Sequence, residues 1–514
     1  MRIKFIKHIV FVVALMITLP MWATSSLCNR YAPTSKLSSG RWVKIEIGAS
    51  GIYQISYSTL QSMGFDPTKV KVYGYGGNML PEKFSEPYID DLPEVPILRN
   101  NSRILFYGEG TVKWSNNGSS FTHKQNPYST HSYYFISQND NPDVTMKEIE
   151  DNISSTKATE VTAFDDYSLH ESELCNVGNM GRNLYGEDFL YKTIHTFSFN
   201  TAGAIGDINM QIDFIAKMQA DASLSIKHNG TSLTNGEKNI RKFSAADDWY
   251  YTSAKLTTIK KTFPASGAES ITLQFTGSDV KVARLDYIRL QMERKLMLYN
   301  GSVKFRVLAA NNDLIRYKIN TSGYSSVQVW DITEHHNPKR VLTTVSGDIT
   351  SFTPQELGVR EYIAFDTNHT FSEPAYVEEV ANQNLHGLER ADLVIIAPQQ
   401  FYQQAKRLAE FHLSHDNISS MIVRPELIYN EFSSGSADAT AFRRFMKMFY
   451  DRAECAGDDN LYPRYLLLFG DGSCDNRHIT SEWQGYKYPF LLTFQSESSL
   501  DERNSYVTDD YLHF

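Results

Sequence analysis

Three unbroken apolar segments in the C-terminal part of the chain constrain its fold more than any other feature of the sequence. They are Asp392-Leu-Val-Ile-Ile-Ala397, Met421-Ile-Val423 and Tyr465-Leu-Leu-Leu-Phe469. Two segments with apolar residues at helical spacing separate them, and Asp438 can cap the second of these helices. Apolar strands that alternate with helices are typical of a parallel sheet covered on both faces. The sequence therefore predicts an α/β domain over residues 386–514.

A parallel sheet places its chemistry in the loops beyond the carboxyl ends of its strands. Three polar loops are candidates: residues 429–435, 470–476 and 508–511. The loop after the third strand reads Gly-Asp-Gly-Ser-Cys-Asp-Asn and is the most distinctive of the three. The candidate site residues of the last two loops are Gly470, Asp471, Gly472, Ser473, Asp475, Asp509 and Asp510.

Several chemistries could use these residues. The aspartates at 471, 475, 509 and 510 could bind a hard cation such as calcium, which would suit a cation-dependent hydrolase. Ser473 could be a nucleophile, but no His and Asp partners are recognisable near it. Cys474 and His478 could pair only if the loop were helical, and Gly472 argues against that. The favoured interpretation is structural, with an aspartate capping turn amides beside a buried free thiol.

The upstream sequence predicts all-β domains. Alternating apolar and polar residues, as in Ile208 to Phe214, indicate strands with one buried and one solvated face. An aromatic content of 13%, with 30 Tyr and 29 Phe, also favours a strand-rich protein. We expect an N-terminal β domain over 24–165, a β-sandwich over 166–296 and a small, Ig-like β-sandwich over 297–380. The polar stretch from Asp143 to Asp166 suggests a linker or a surface loop.

The first 23 residues have the organisation of a secretory signal peptide. Arg2, Lys4 and Lys7 precede an apolar run that is too short to span a membrane, and Ala23 offers a cleavage point. Cys28 does not mark a lipoprotein, because Leu27 occupies a position that requires a small residue. The four cysteines contain no Cys-x-x-Cys pair, so a zinc cluster is not indicated, and the sequence selects no disulfide pairing. The net charge of −9, without a basic run, makes nucleic acid a poor candidate partner.

Several collinear motifs resemble a known family. The chain is similar to the gingipain-like peptidases and, more closely, to the PorU-type sortases of the type IX secretion system. The motifs of the α/β domain that carry this resemblance are 392–396, 428–435, 438–441, 465–473 and 508–511, and those of the β domains are 181–189, 285–288 and 329–333.

The resemblance implies a caspase-like cysteine peptidase with a His/Cys dyad. Such sortases remove C-terminal sorting domains from secreted cargo at the outer membrane of Gram-negative bacteria and help to attach the cargo to the cell surface. It therefore implies cargo proteins and other outer-membrane secretion components as partners. The resemblance implies no cofactor. Calcium binding is considered as an addition to it.

The dyad that the resemblance implies is not found in these 514 residues. The family places its His in a Gly-His-Gly segment after the region matching Asp509 to Tyr511, and this sequence contains no Gly-His-Gly. His386 precedes the first α/β strand and is expected to be a linker residue. No catalytic residue is therefore assigned. We expect the chain to be the N-terminal portion of a sortase, inactive alone; the alternative is a non-enzymatic outer-membrane scaffold with a degenerate peptidase remnant.

Overall fold

The structure is a computed structural model, and it describes residues 29–152, 158–483 and 490–512. The predicted signal peptide and Cys28 lie outside these residues. Within the described part of the chain, no helix is long and apolar enough to cross a membrane. The fold consists of all-β domains followed by a partial α/β domain, as the sequence predicts.

The N-terminal domain contains two packed sheets and a separate hairpin. Its strands are β1 (Trp42–Ile47), β2 (Gly51–Ser56), β3 (Val70–Tyr73), β4 (Glu94–Val95), β5 (Leu98–Asn100), β6 (Arg103–Gly108), β7 (Val112–Asn116), β8 (Phe121–Gln125) and β9 (Ser132–Gln138). A short helix, α1 (Tyr57–Ser62), follows β2 and is capped by the Ser56 hydroxyl. One sheet has the order β1-β9-β3-β4 and the other β2-β6-β5, while β7 and β8 form the hairpin. Side chains such as Ile45, Ile104 and Phe106 fill the space between the sheets.

The connection to the second domain contains two short strands, β10 (Glu148–Ile149) and β11 (Thr159–Val161). The second domain is a sandwich of two four-stranded sheets with the orders β12-β19-β14-β17 and β13-β18-β15-β16. Its strands are β12 (Ala163–Glu171), β13 (Ile194–Asn200), β14 (Ala204–Lys217), β15 (Ser223–His228), β16 (Thr231–Ser232), β17 (Lys255–Pro264), β18 (Ala268–Thr276) and β19 (Val282–Lys295). The residues Ile208, Met210, Ile212 and Phe214 are buried in its core, which confirms the predicted alternation.

The third domain is a smaller sandwich that borrows both linker strands. Its own strands are β20 (Ser302–Phe305), β21 (Ile315–Asn320), β22 (Val327–Asp331), β23 (Lys339–Val341), β24 (Thr344–Ser346), β25 (Ile349–Phe352) and β26 (Tyr362–Asp366). β10 pairs in parallel with β23, and β11 pairs in parallel with β21. The interpretation of 143–166 as only a linker or loop was therefore wrong, because its backbone completes the edges of two sheets.

A strand that follows the third sandwich returns to the N-terminal domain. It is β27 (Ala375–Val380), which pairs antiparallel with β1 and extends the larger N-terminal sheet. The chain thus passes through two further domains before it closes the first one. The predicted domain boundaries stay predictions, but this pairing shows that the β domains are interwoven.

The α/β domain has a three-stranded parallel sheet with helices on both faces. Its elements are β28 (Leu393–Ile396), α2 (Tyr402–Asp416), β29 (Ser420–Val423), α3 (Pro425–Phe432), α4 (Ala439–Ala456), β30 (Tyr465–Leu468), β31 (Phe494–Gln495) and β32 (Val507–Thr508). The parallel sheet has the order β29-β28-β30, so β28 is central and β30 is an edge. Asp438 caps α4 by accepting a hydrogen bond from the Thr440 amide, as predicted.

Residues 74–93 of the N-terminal domain, here called the strap, cross the α/β domain. The Leu80 amide donates to the Asp438 carboxylate at 2.8 Å, and the buried Arg444 donates to the Pro81 carbonyl at 3.0 Å. The Arg444 guanidinium also lies over the ring of Tyr88, with 4.4 Å to its centroid. These polar contacts fix the N-terminal domain on helix α4.

His386 belongs to the same interface. Its side chain is fully buried and its two ring nitrogens face Asp90 of the strap and Glu431 of α3. The expectation of a linker residue was therefore wrong. Its ring contacts Asp90, Glu431 and Phe432, which are distant in the sequence, so the local sequence did not predict its burial.

Candidate functional site

The carboxyl ends of the three parallel strands meet at one edge of the sheet. Ile396 at the end of β28 lies opposite Val423 on one side and Leu468 on the other. The loop after β30, residues 470–477, is here called the site loop. It borders a cleft of about 370 Å³ whose lining includes Leu468, Gly470, Asp471, Gly472, Ser473, Cys474, Leu491, Thr493, Val507 and Asp509.

The cleft brings together most of the predicted site residues. Asp509, from the segment after β32, faces the same cleft as Asp471 of the site loop, although 38 positions separate them in the sequence. Asp510 instead borders a neighbouring groove of about 760 Å³ along the outer edge of β30. Asp475 borders neither of these spaces, because its side chain is directed into the loop itself.

Asp475 stabilises the turn that follows the site loop. Its carboxylate is buried and accepts hydrogen bonds from the amides of Arg477, at 3.1 Å, and Thr480, at 2.8 Å. The Ser473 hydroxyl accepts from the Asp475 amide at 3.0 Å and donates to the Asp475 carbonyl. Both side chains are therefore engaged in turn formation, which confirms the structural interpretation of Asp475 and leaves Ser473 without a nucleophile's geometry.

The site loop is held against the segment that follows residue 490. The Leu491 amide donates to the Asp471 carbonyl at 2.9 Å, and the Gln495 side-chain amide donates to the Ser473 carbonyl at 2.9 Å. A methyl group at Gly472 would lie 2.7 Å from the Cγ2 atom of Thr493, which is closer than carbon atoms approach. Glycine at position 472 thus permits the two segments to pack together.

Cys474 has the environment of an unactivated thiol. It is free and half-buried, and burial raises the pKa of its thiol above the ordinary value. A nucleophilic cysteine needs the opposite shift, because the thiolate is the reactive form. The ring of His478 packs edge-on against Phe490, with 4.9 Å between centroids, and burial lowers its pKa. This geometry does not support a Cys474–His478 dyad.

No metal site can be assigned to the cleft. Among the residues that the structure describes, no group of three or more His, Cys, Asp or Glu side chains is placed to hold a metal ion. Asp471 accepts a hydrogen bond from the Gly472 amide, and Asp475 is occupied by the turn amides. Calcium binding stays a prediction from the sequence.

A second domain contributes to the border of the cleft, which the sequence did not predict. Residues 173–186 of the second β domain, here called the bridge loop, contact the site loop and the segment after it. Asn176 donates to the Cys474 carbonyl at 3.2 Å, and Arg182 donates through its amide to the Ser496 carbonyl at 3.0 Å. The available signal was the segment Gly181 to Phe189, which stood out in the sequence without an assignable role.

The sequence of the α/β domain, which supplies the sheet and the site loop, matches a known peptidase family. Residues 386–514 match the sequence model of peptidase family C25. The α/β domain is a C25 domain. This match agrees with the resemblance that the sequence motifs indicate, and it covers the predicted span of the domain.

The whole described fold also has a solved relative. The chain is similar to latent PorU from Porphyromonas gingivalis, crystallised as a dimer, with 30% sequence identity and a TM-score of 0.84. The alignment covers 95% of this chain and 47% of that chain, so this chain spans about half the length of its relative. The β domains that precede the C25 domain are therefore shared with PorU.

Other solved structures resemble the chain only weakly. A β-porphyranase of glycoside hydrolase family 86 from Bacteroides plebeius aligns with 50% of this chain at 10% identity, but its TM-score is 0.17. An insecticidal delta-endotoxin from Bacillus thuringiensis aligns with 44% of the chain at a TM-score of 0.15. No curated protein sequence matches the chain significantly.

Proposed function

We propose that this chain is the N-terminal portion of an exported, sortase-like cysteine endopeptidase. Its substrates are secreted cargo proteins with C-terminal sorting domains. The enzyme removes the sorting domain before the cargo is anchored at the cell surface. The observation that carries the proposal is the similarity to PorU, which extends over the β domains as well as the C25 domain. A C25 domain alone would support only peptidase chemistry.

In this proposal the cleft beside the site loop contacts the substrate, and its residues do not provide the nucleophile. Cys474 has a raised thiol pKa, and Ser473 and Asp475 are occupied by turn hydrogen bonds. Because the chain spans only 47% of the length of PorU, the proposal places the His and Cys of the dyad in sequence that follows the matched part. In such an enzyme the imidazole would promote attack by the thiolate and backbone amides would hold the oxyanion.

The outer edge of β30 is the surface on which that following sequence would continue the sheet. The groove beside it is lined by Tyr465, Leu466, Leu467 and Leu468. Apolar residues on an edge strand with free backbone groups favour pairing with another strand. The outer membrane or cell surface of a Gram-negative bacterium, and other secretion components there as partners, follow from the same proposal.

The experiment that tests this function begins with the coding sequence beyond Phe514. The product of the whole reading frame is purified and mixed with a secreted protein that carries a C-terminal sorting domain, and cleavage is followed by mass spectrometry. We expect thiol-dependent removal of the sorting domain, abolished when the cysteine that follows a Gly-His-Gly segment is replaced by alanine. A reading frame without such residues, or cleavage that survives the alanine variant, would contradict the proposal.

A further inference from the structure

The bridge loop is anchored rigidly in the second β domain. The backbones of Cys175 and Tyr185 exchange two hydrogen bonds, at 3.0 and 2.8 Å, which close the base of the loop. Arg284 of β19 donates to the Gly186 carbonyl at 2.8 Å and forms an ion pair with Asp188. The loop therefore projects from a fixed base towards the C25 domain.

The tip of the bridge loop fits closely against residues 494–501, here called the rim. The Arg182 amide donates to the Ser496 carbonyl at 3.0 Å, and the Asn183 amide donates to the Ser499 hydroxyl at 2.8 Å. Gly181 has a φ of +64°, and a methyl group at this position would overlap the carbonyl oxygen of Ser498. Both the backbone conformation and the available space therefore require glycine.

The side chain of Arg182 connects three domains. It is 3% exposed and donates to Glu82 of the strap and, at 2.7 Å, to Glu497 of the rim. Glu497 also forms an ion pair with Lys124 of the β7–β8 hairpin, with 2.6 Å between Nζ and Oε1. Hydrogen bonds from Lys124 and Arg182 lower the pKa of Glu497 to about 2. A buried guanidinium with two carboxylate partners gives a well-defined orientation to the groups around it.

The rim in turn contacts the site loop, which borders the cleft. Gln495 donates to the Ser473 carbonyl of the site loop, and Asn176 of the bridge loop donates to the Cys474 carbonyl. A second contact from the same β domain lies further along, where the Ser253 amide donates to the Leu500 carbonyl at 2.7 Å. The β domain thus contacts the site loop and the rim at separate points.

We propose that the second β domain positions the substrate cleft of the C25 domain, with Gly181 and Arg182 as its positioning residues. This inference rests on the proposed function for its meaning, since the cleft is the surface that would receive an extended segment of a protein substrate. The geometry itself is independent of catalysis: without the bridge loop, the site loop loses the hydrogen bond from Asn176, and the rim loses those from Arg182 and Asn183.

Amide hydrogen exchange of the 514-residue chain tests the inference without any activity assay. We expect R182A and G181A to increase exchange of amides in residues 470–477 and 494–501 by about tenfold, because these segments open locally when their partners are lost. R182K keeps the charge but cannot serve both carboxylates, so its exchange rates should be intermediate. S499A removes one acceptor and offers a mild variant that is expected to fold normally.

The matched control is R306A, which removes another buried arginine, in the third domain. It should lower stability without selectively increasing exchange in the site loop and rim. The inference is overturned if R182A and S499A leave exchange of both segments unchanged, or if R306A increases it as strongly. Absence of cleavage by the full-length protein would instead count against the proposed function, so the two failures are distinguishable.

Discussion

The imidazole of His386 and the carboxylate of Glu431 form a buried ion pair, with 2.6 Å between Nδ1 and Oε2. The other ring nitrogen, Nε2, lies 3.0 Å from the Asp90 carboxylate, and the ring stacks on Phe432 with 4.5 Å between centroids. One histidine thus joins the strap of the N-terminal domain to helix α3 of the C25 domain. Burial alone would lower its pKa, but hydrogen bonds to the two carboxylates raise it to about 9.

We therefore predict that stability depends on pH through His386. The folded pKa is about 9 and the ordinary value is 6.5, so the folded state binds the proton more tightly. The contribution is complete below pH 6.5 and is lost as pH rises through 9, with a total of about 3 kcal/mol. Denaturant unfolding at pH 6, 8 and 10 should show this decline.

H386Q provides the comparison for that experiment. It should be about 3 kcal/mol less stable than the wild type at pH 6, since the buried Glu431 and the partly buried Asp90 lose their partner, and the difference should shrink by pH 10. H412Q removes a partly exposed histidine that pairs with Asp416 on α2, and it should behave like the wild type. A deficit for H386Q that stays constant between pH 6 and 10 would refute the charged pair.

We also predict that stability depends on pH through Asp438, whose pKa is raised in the folded state rather than lowered as is usual for a paired carboxylate. Its carboxylate accepts from Thr440 and Leu80, yet burial raises its pKa to about 6, above the ordinary 3.8. The folded state therefore favours the proton, and stability should fall by about 2 to 3 kcal/mol as pH rises from 4 to 7. D438N should abolish this decline, because it cannot ionise.

D438A separates the cap from the charge. It loses both acceptor oxygens, whereas D438N keeps one, so we expect D438A to be about 1 kcal/mol less stable than D438N at every pH. The measurement is again denaturant unfolding, and equal stability of the two variants would show that the cap contributes nothing.

The edge strand β30 is predicted to cause self-association of the 514-residue chain. Tyr465 at its start is 55% exposed, and the edge is apolar. Y465K places a charge on this edge and should reduce light scattering at high protein concentration. Y250K, at an exposed tyrosine outside any strand, should leave scattering as it is. Equal scattering of all three proteins would rule out β30 as the cause.

The close contact of Gly472 with Thr493 predicts a compensating pair of substitutions. G472A should destabilise the site loop by about 1 to 3 kcal/mol, because its methyl group meets the Cγ2 atom of Thr493. T493S removes that atom and should recover most of the loss in the double variant. Hydrogen exchange of residues 470–477 measures the effect, and independent, additive changes would contradict the contact.

The sequence predicts the strands and helix caps whose stabilising contacts involve residues close together in the chain. The alternation in Ile208 to Phe214 and the apolar run of Leu393 to Ile396 both predicted strands correctly, since burial on one or both faces leaves a clear period. The cap at Asp438 was correct for the same reason, because its partner is two residues away.

The features that the sequence did not reveal depend on distant partners. The strands β10 and β11 are short and polar, and only their pairing with the third sandwich defines them. The burial of His386 depends on Asp90, almost three hundred residues earlier. The bridge loop reaches the site loop and the rim through hydrogen bonds to their backbone carbonyls, which leave no compositional signal.

The most direct test of the claim that the described residues hold no catalytic nucleophile is a cleavage assay on the purified 514-residue chain itself. The chain is incubated with a secreted protein that carries a C-terminal sorting domain, with and without iodoacetamide, and the products are identified by mass spectrometry. We predict no thiol-dependent cleavage, because the thiols of Cys175 and Cys474 both have raised pKa values. Cleavage that iodoacetamide blocks and that C474A abolishes would contradict this prediction.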